Sequence, residues 1–103
     1  MKEAKSDNTI YVDPMLESLI PKFLVFQKNQ FELVKNAFQN RNYEELKALG
    51  HQMKGSCGSY GFQTLGDFGK KIEHFSELQD LKRLEENISQ LEKYLHHLKI
   101  EYR

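Results

Sequence analysis

The stretch HQMKGSCGSYG, from His51 to Gly61, decides how this chain is read. At about 100° per residue around a helix axis, His51, Lys54, Gly55 and Gly58 share one narrow sector, and Met53, Cys57 and Tyr60 point roughly the opposite way. The apolar side chains therefore face a core, while an imidazole sits outside beside one cation and two residues without side chains. Glycine inside a helix costs about 1 kcal/mol relative to alanine, so Gly50, Gly55 and Gly58 together call for a reason. Two remain open: close approach of a partner surface to His51, or a small-residue face packed on a neighbouring helix.

Helical patterns extend in both directions from this stretch. Upstream, Asn42 with Glu45 three positions on forms a capping box that starts a helix over Tyr43–Tyr60, placing His51 at its middle on a rigid surface. Downstream, Gly61 ends that helix. A further helix from Phe62 to Leu78 follows, with Phe62, Leu65, Phe68, Ile72 and Phe75 as its apolar stripe and Gly66, Gly69 and Glu73 on an adjacent one. Asp80 caps a last helix in which Leu84, Ile88, Leu91, Leu95 and Leu98 recur at spacings of four and three, a narrow bundle seam.

Towards the N-terminus, Pro21 to Gln39 carries more apolar width than a single stripe needs, as expected for a helix with several neighbours. Asp13-Pro14 opens a short helix before it, and Pro21 breaks the two apart. No strand pattern stands out. Short connections imply antiparallel neighbours, so the expected fold is all-α: an antiparallel up-down four-helix bundle with a short extra N-terminal helix. Residues 1–9 are expected to be flexible and residues 10–103 to form one domain.

Composition narrows the function classes. A chain of 103 residues supports one modest core. Lys+Arg and Asp+Glu are equal at 15 each, so no basic surplus points to nucleic acid. The one cysteine, Cys57, cannot close an internal disulfide. The N-terminus lacks the apolar region of a signal peptide, and no run approaches the roughly 18 apolar residues of a membrane span; a reducing, cytoplasmic setting is expected. His74, His96 and His97 show no paired metal spacing and read as surface or capping residues. There is no glycine-rich nucleotide loop and no acidic cluster for Mg²⁺.

The run from Asn42 to Glu73, NYEELKALGHQMKGSCGSYGFQTLGDFGKKIE, closely resembles the histidine-containing phosphotransfer (HPt) domains of two-component phosphorelays, and the resemblance extends from about Val12 to Leu98. The family pattern is a helix start, His-x-x-Lys-Gly-Ser/Ala, a later glycine, and a second apolar helix ending in Gln or Glu. His51, Lys54, Gly55, Ser56, Gly61 and Glu73 match it.

The resemblance implies that His51 accepts a phosphoryl group, that Lys54 offsets its charge, and that Glu73 reaches across to hold the ring by Nδ1–H. Ser56 turns away from His51 and is assigned to packing or backbone hydrogen bonding. The expected docking surface is Gly55, Gly58, Gly66, Gly69 and Lys70. The implied partners are a response-regulator receiver domain and/or a hybrid histidine kinase, with no nucleic acid and no membrane. The protein would act as a monomeric phosphocarrier rather than an enzyme. It would have no cofactor or metal of its own, because the receiver supplies the aspartate pocket and Mg²⁺. The alternative is a non-phosphorylated helical adaptor that binds receivers or kinases.

Overall fold

The computed structural model describes residues 2–3, 9–59 and 62–102. Their order is β1 (Lys2–Glu3), β2 (Thr9–Val12), a 3₁₀ turn (Pro14–Leu16), α1 (Ile20–Gln39), α2 (Tyr43–Ser59), α3 (Gln63–Glu77), α4 (Leu81–His96) and β3 (Lys99–Tyr102).

Helix starts follow local chemistry. Asn42 Oδ1 accepts the Glu45 N–H at 3.1 Å and Asn42 Nδ2 donates to Glu45 Oε2 at 3.2 Å, a reciprocal cap at the start of α2. Asp80 Oδ1 accepts the Arg83 N–H at 3.1 Å and starts α4. Pro21 does not break a helix. It lies in the first turn of α1, where a missing N–H leaves no carbonyl unpaired. The short helix expected ahead of it is a single 3₁₀ turn, with Asp13 Oδ1 accepting the Met15 N–H at 2.9 Å.

Two helix ends share one geometry. Arg41 and Gln79 both take a φ of 54°, and each is followed by a residue whose N–H returns to the helix, Asn42 to Ala37 O and Asp80 to Phe75 O. This is a Schellman closure built without its usual glycine.

The all-α expectation needs correction. β2 lies at the centre of a three-stranded sheet, antiparallel to β1 (Lys2↔Tyr11) and parallel to β3 (Ile10↔Ile100, Val12↔Tyr102). Ile10 and Val12 are buried in the same core as the helices, and Ile100 and Tyr102 pack against its edge. The final helix therefore stops short of Leu98. His97 caps it, its Nδ1–H donating to Lys93 O at 2.8 Å, and the chain then runs on into β3. Of the segment expected to be flexible, Lys2–Glu3 and Thr9 lie in this sheet.

The closest helix pair is α2 and α3. Their contacts ascend on one helix as they descend on the other: Lys47 pairs with Glu77 and His51 with Glu73. At the crossing, a Cβ on Gly50 would lie 2.6 Å from Gly69 O, and one on Gly69 would lie 2.6 Å from Gly50 O. No side chain fits there, so the backbones themselves touch.

Candidate functional site

Helix α2 presents two faces. Leu46, Leu49, Met53 and Cys57 are buried on one, whereas His51, Lys54 and Gly55 are exposed on the other. Burial pushes the Cys57 thiol up to about 12, so it is a neutral, unreactive core group.

The glycine crossing sets the geometry of the outer face. Because α3 lies against the α2 backbone at Gly50, the Glu73 main chain passes 2.7 Å from where a Gly50 Cβ would be. Its carboxylate thereby reaches His51, with Nδ1 3.1 Å from Glu73 Oε2. A carboxylate offers only lone pairs, so in the neutral ring the hydrogen resides on Nδ1 and Nε2 keeps the lone pair. The His51 side chain is 69% exposed and that of Glu73 only 18%.

The other carboxylate oxygen, Glu73 Oε1, lies 3.7 Å from Lys54 Nζ. One largely sheltered carboxylate thus tethers both the imidazole and the cation one turn away. At that distance, with Lys54 47% exposed, the ion pair contributes at most about 1 kcal/mol, so the ammonium is released at little cost. A shallow depression beside the ring is lined by Glu44, Lys47, Ala48, His51, Gln52 and Glu73.

The expected docking residues separate. Gly55 is exposed, and a Cβ there meets nothing within 4 Å. Lys70 is exposed on α3. Gly66 and Gly69 are buried and are not docking residues. Gly69 is occupied by the α2 backbone and serves the helix crossing, not a partner. Gly58 lies in α2, but its surroundings fall outside the described residues, as does Gly61.

The residue under-read in the sequence is Gly50. Of the two reasons open for the α2 glycines, packing on a neighbouring helix holds for Gly50, which seats α3. Its signal was its place beside His51 on a helix whose partner also carries glycines, Gly66 and Gly69.

Elsewhere, His74 rests on Phe75 with ring centroids 5.5 Å apart, and His97 is the α4 cap already described. Among the described residues no three His, Cys, Asp or Glu side chains are grouped to hold a metal ion, and no helix is long and apolar enough to cross a membrane.

A family model described as the Hpt domain matches residues 18–101, which include every site residue above. The chain belongs to the Hpt family. Neither a search of curated proteins nor one of solved structures returned a significant match. Hpt domains are phosphocarriers rather than catalysts. They act in two-component signalling, where they interact with receiver domains and kinases. Within the Hpt match, His51 is the histidine that sits exposed at the middle of a helix with a carboxylate on its Nδ1.

Proposed function

We propose that His51 accepts a phosphoryl group on Nε2 and transfers it to or from the aspartate of a response-regulator receiver domain. The observation that carries this reading is the Nδ1 to Glu73 contact on an exposed ring, because it leaves Nε2 as the nitrogen with a lone pair to give.

In the forward step the Nε2 lone pair attacks the phosphorus of an aspartyl phosphate. The N–P bond forms as the aspartyl O–P bond breaks, and the aspartate leaves as its carboxylate. Nδ1 keeps its proton, and the positive charge that develops on the ring is balanced by Glu73. The Lys54 ammonium moves from Glu73 Oε1 to a phosphoryl oxygen, trading a weak surface pair for a charge-assisted hydrogen bond. The reverse sequence returns the group.

Little else is required of this chain, since phosphoryl transfer depends on in-line positioning and on stabilising the moving charge. The partner's aspartate pocket and its Mg²⁺ supply both. Gly55 gives the partner's loop room and Lys70 lies at the margin of the docked area. The protein acts as a monomer built on a single domain, and a lone buried thiol suits the reducing cytoplasm.

The test is ³²P transfer from a phosphorylated receiver with Mg²⁺, run beside His51→Gln. The wild type should take acid-labile, base-stable label and the variant none, with both folded by circular dichroism. A folded wild type left unlabelled by a panel of receivers would favour the non-phosphorylated adaptor.

A further inference from the structure

The His51 ring is held from the α3 side, and the neighbouring side chain is held from the other. Gln52 is exposed on α2, next to His51 in sequence and beside it in the same depression. Its amide oxygen accepts a hydrogen bond of 3.0 Å from Nε2 of Gln30, a buried residue of α1. An exposed glutamine is ordinarily free to sample many rotamers. This one is tethered through its oxygen, and its amide nitrogen keeps both hydrogens for another acceptor.

Stability alone gives a weak reason for the pair. Gln30 is buried, and an amide taken from water regains in such a bond only about what its burial costs. An apolar side chain at the same place would pack as well. The pair does fix a neutral donor at the edge of a surface that also carries Ala48, His51 and the charges of Glu44, Lys47 and Glu73.

The donor does not serve the phosphoryl group. Adjacent helical side chains diverge by about 100°; His51 leans to Glu73 on α3 and Gln52 to Gln30 on α1. A protein that covers His51 closely enough to exchange a phosphoryl group nevertheless covers Gln52.

We infer that Gln52, positioned by Gln30, is a specificity-determining contact for the docked receiver, donating to a carbonyl or carboxylate oxygen on the rim of its phosphorylation pocket. The inference rests on the phosphotransfer reading above. It assigns Gln52 to docking and not to the transfer step, so its loss raises KM and spares kcat.

The experiment measures single-turnover transfer from receiver domains charged with acetyl phosphate to wild type, Gln52→Met and Gln30→Leu, with direct labelling by phosphoramidate as the control. The half-saturating receiver concentration is read as KM and the limiting rate as kcat. Gln52→Met keeps length and removes the donor. It should raise KM for the receiver about three- to tenfold, the span of one ordinary hydrogen bond, with kcat and phosphoramidate labelling unchanged. Gln30→Leu leaves the donor but frees it, and should raise KM by a smaller factor, about twofold. An unchanged KM in Gln52→Met would overturn the inference. So would a fall in phosphoramidate labelling, because the residue would then be acting through His51. Failure of the wild type to accept label from any receiver would instead remove the phosphotransfer reading, and this inference with it.

Discussion

Gly50 and Gly55 lie on one helix, a little over a turn apart, yet a Cβ at Gly50 would lie 2.6 Å from the Gly69 carbonyl oxygen while one at Gly55 meets nothing within 4 Å. The inward glycine lets α3 seat against α2 and so brings Glu73 to His51. The outward glycine leaves the surface beside His51 and Lys54 low. The comparison teaches that a glycine-rich helix need not have a single purpose. One glycine builds the site, and the other keeps it open.

The largest expected effect tests the inward face. With its thiol moved from 9.0 to about 12, Cys57 carries about a thousandfold less thiolate at pH 8 than an ordinary thiol. Alkylation by iodoacetamide should therefore be slow in the folded protein and fast in urea. The linked stability has a definite sign. The folded state holds the thiol proton more tightly than the unfolded chain, so this contribution is complete below about pH 9 and is lost as pH rises towards 12. Rapid native alkylation would place Cys57 on the wrong face.

Gly50→Ala sharpens the same point. The added methyl has only backbone to meet, at Gly69 O and Glu73 N, and α3 must shift. A loss of about 2–4 kcal/mol in urea unfolding is expected despite alanine's better helix propensity, together with loss of the His51–Glu73 contact in NMR spectra. A tolerated alanine would mean that the crossing is not tight.

On the outward face, Lys54→Ala should leave stability within about 0.5 kcal/mol, as for other exposed positions. Transfer should slow about tenfold, the loss of one charge-assisted hydrogen bond to the phosphoryl group. Gly55→Ala should be more stable by up to about 1 kcal/mol, the opposite sign from Gly50→Ala, and Gly55→Leu should fold yet block transfer from a receiver. Equal signs at Gly50 and Gly55 would erase the comparison.

The smallest effect lies off both faces. Arg41→Gly and Gln79→Gly relieve a left-handed backbone at φ 54°, and each should gain about a few tenths of a kcal/mol in thermal unfolding, the lost side-chain contacts, such as Arg41 over the Phe38 ring, offsetting the rest.

Much of this was legible in the chain. The caps at Asn42 and Asp80 and the buried face of Met53 and Cys57 depend on spacings within one helix, whereas the association of His51, Lys54 and Glu73 was implied by the resemblance to HPt domains; the structure brings those three side chains together. What was not legible depends on distant partners. Thr9–Val12 is rich in β-branched residues and Lys99–Tyr102 alternates polar with apolar, but four residues are too few to distinguish a strand from a helix end. The parallel pairing of Ile10 with Ile100 spans the whole chain. The leucine seam continuing to Leu98 concealed the stop at His97. The same holds for Gly69, which reads as open surface in the sequence because only the position of the opposite backbone shows that it is filled.

The central claim is that Glu73 holds Nδ1 so that Nε2 of one particular histidine carries the phosphoryl group. The most direct measurement is ¹⁵N–³¹P coupling in the phosphorylated protein labelled with ¹⁵N-histidine. The account predicts coupling to Nε2 of His51 alone, with Nδ1 still bearing its proton. Coupling at Nδ1, or at His74, His96 or His97, would contradict it.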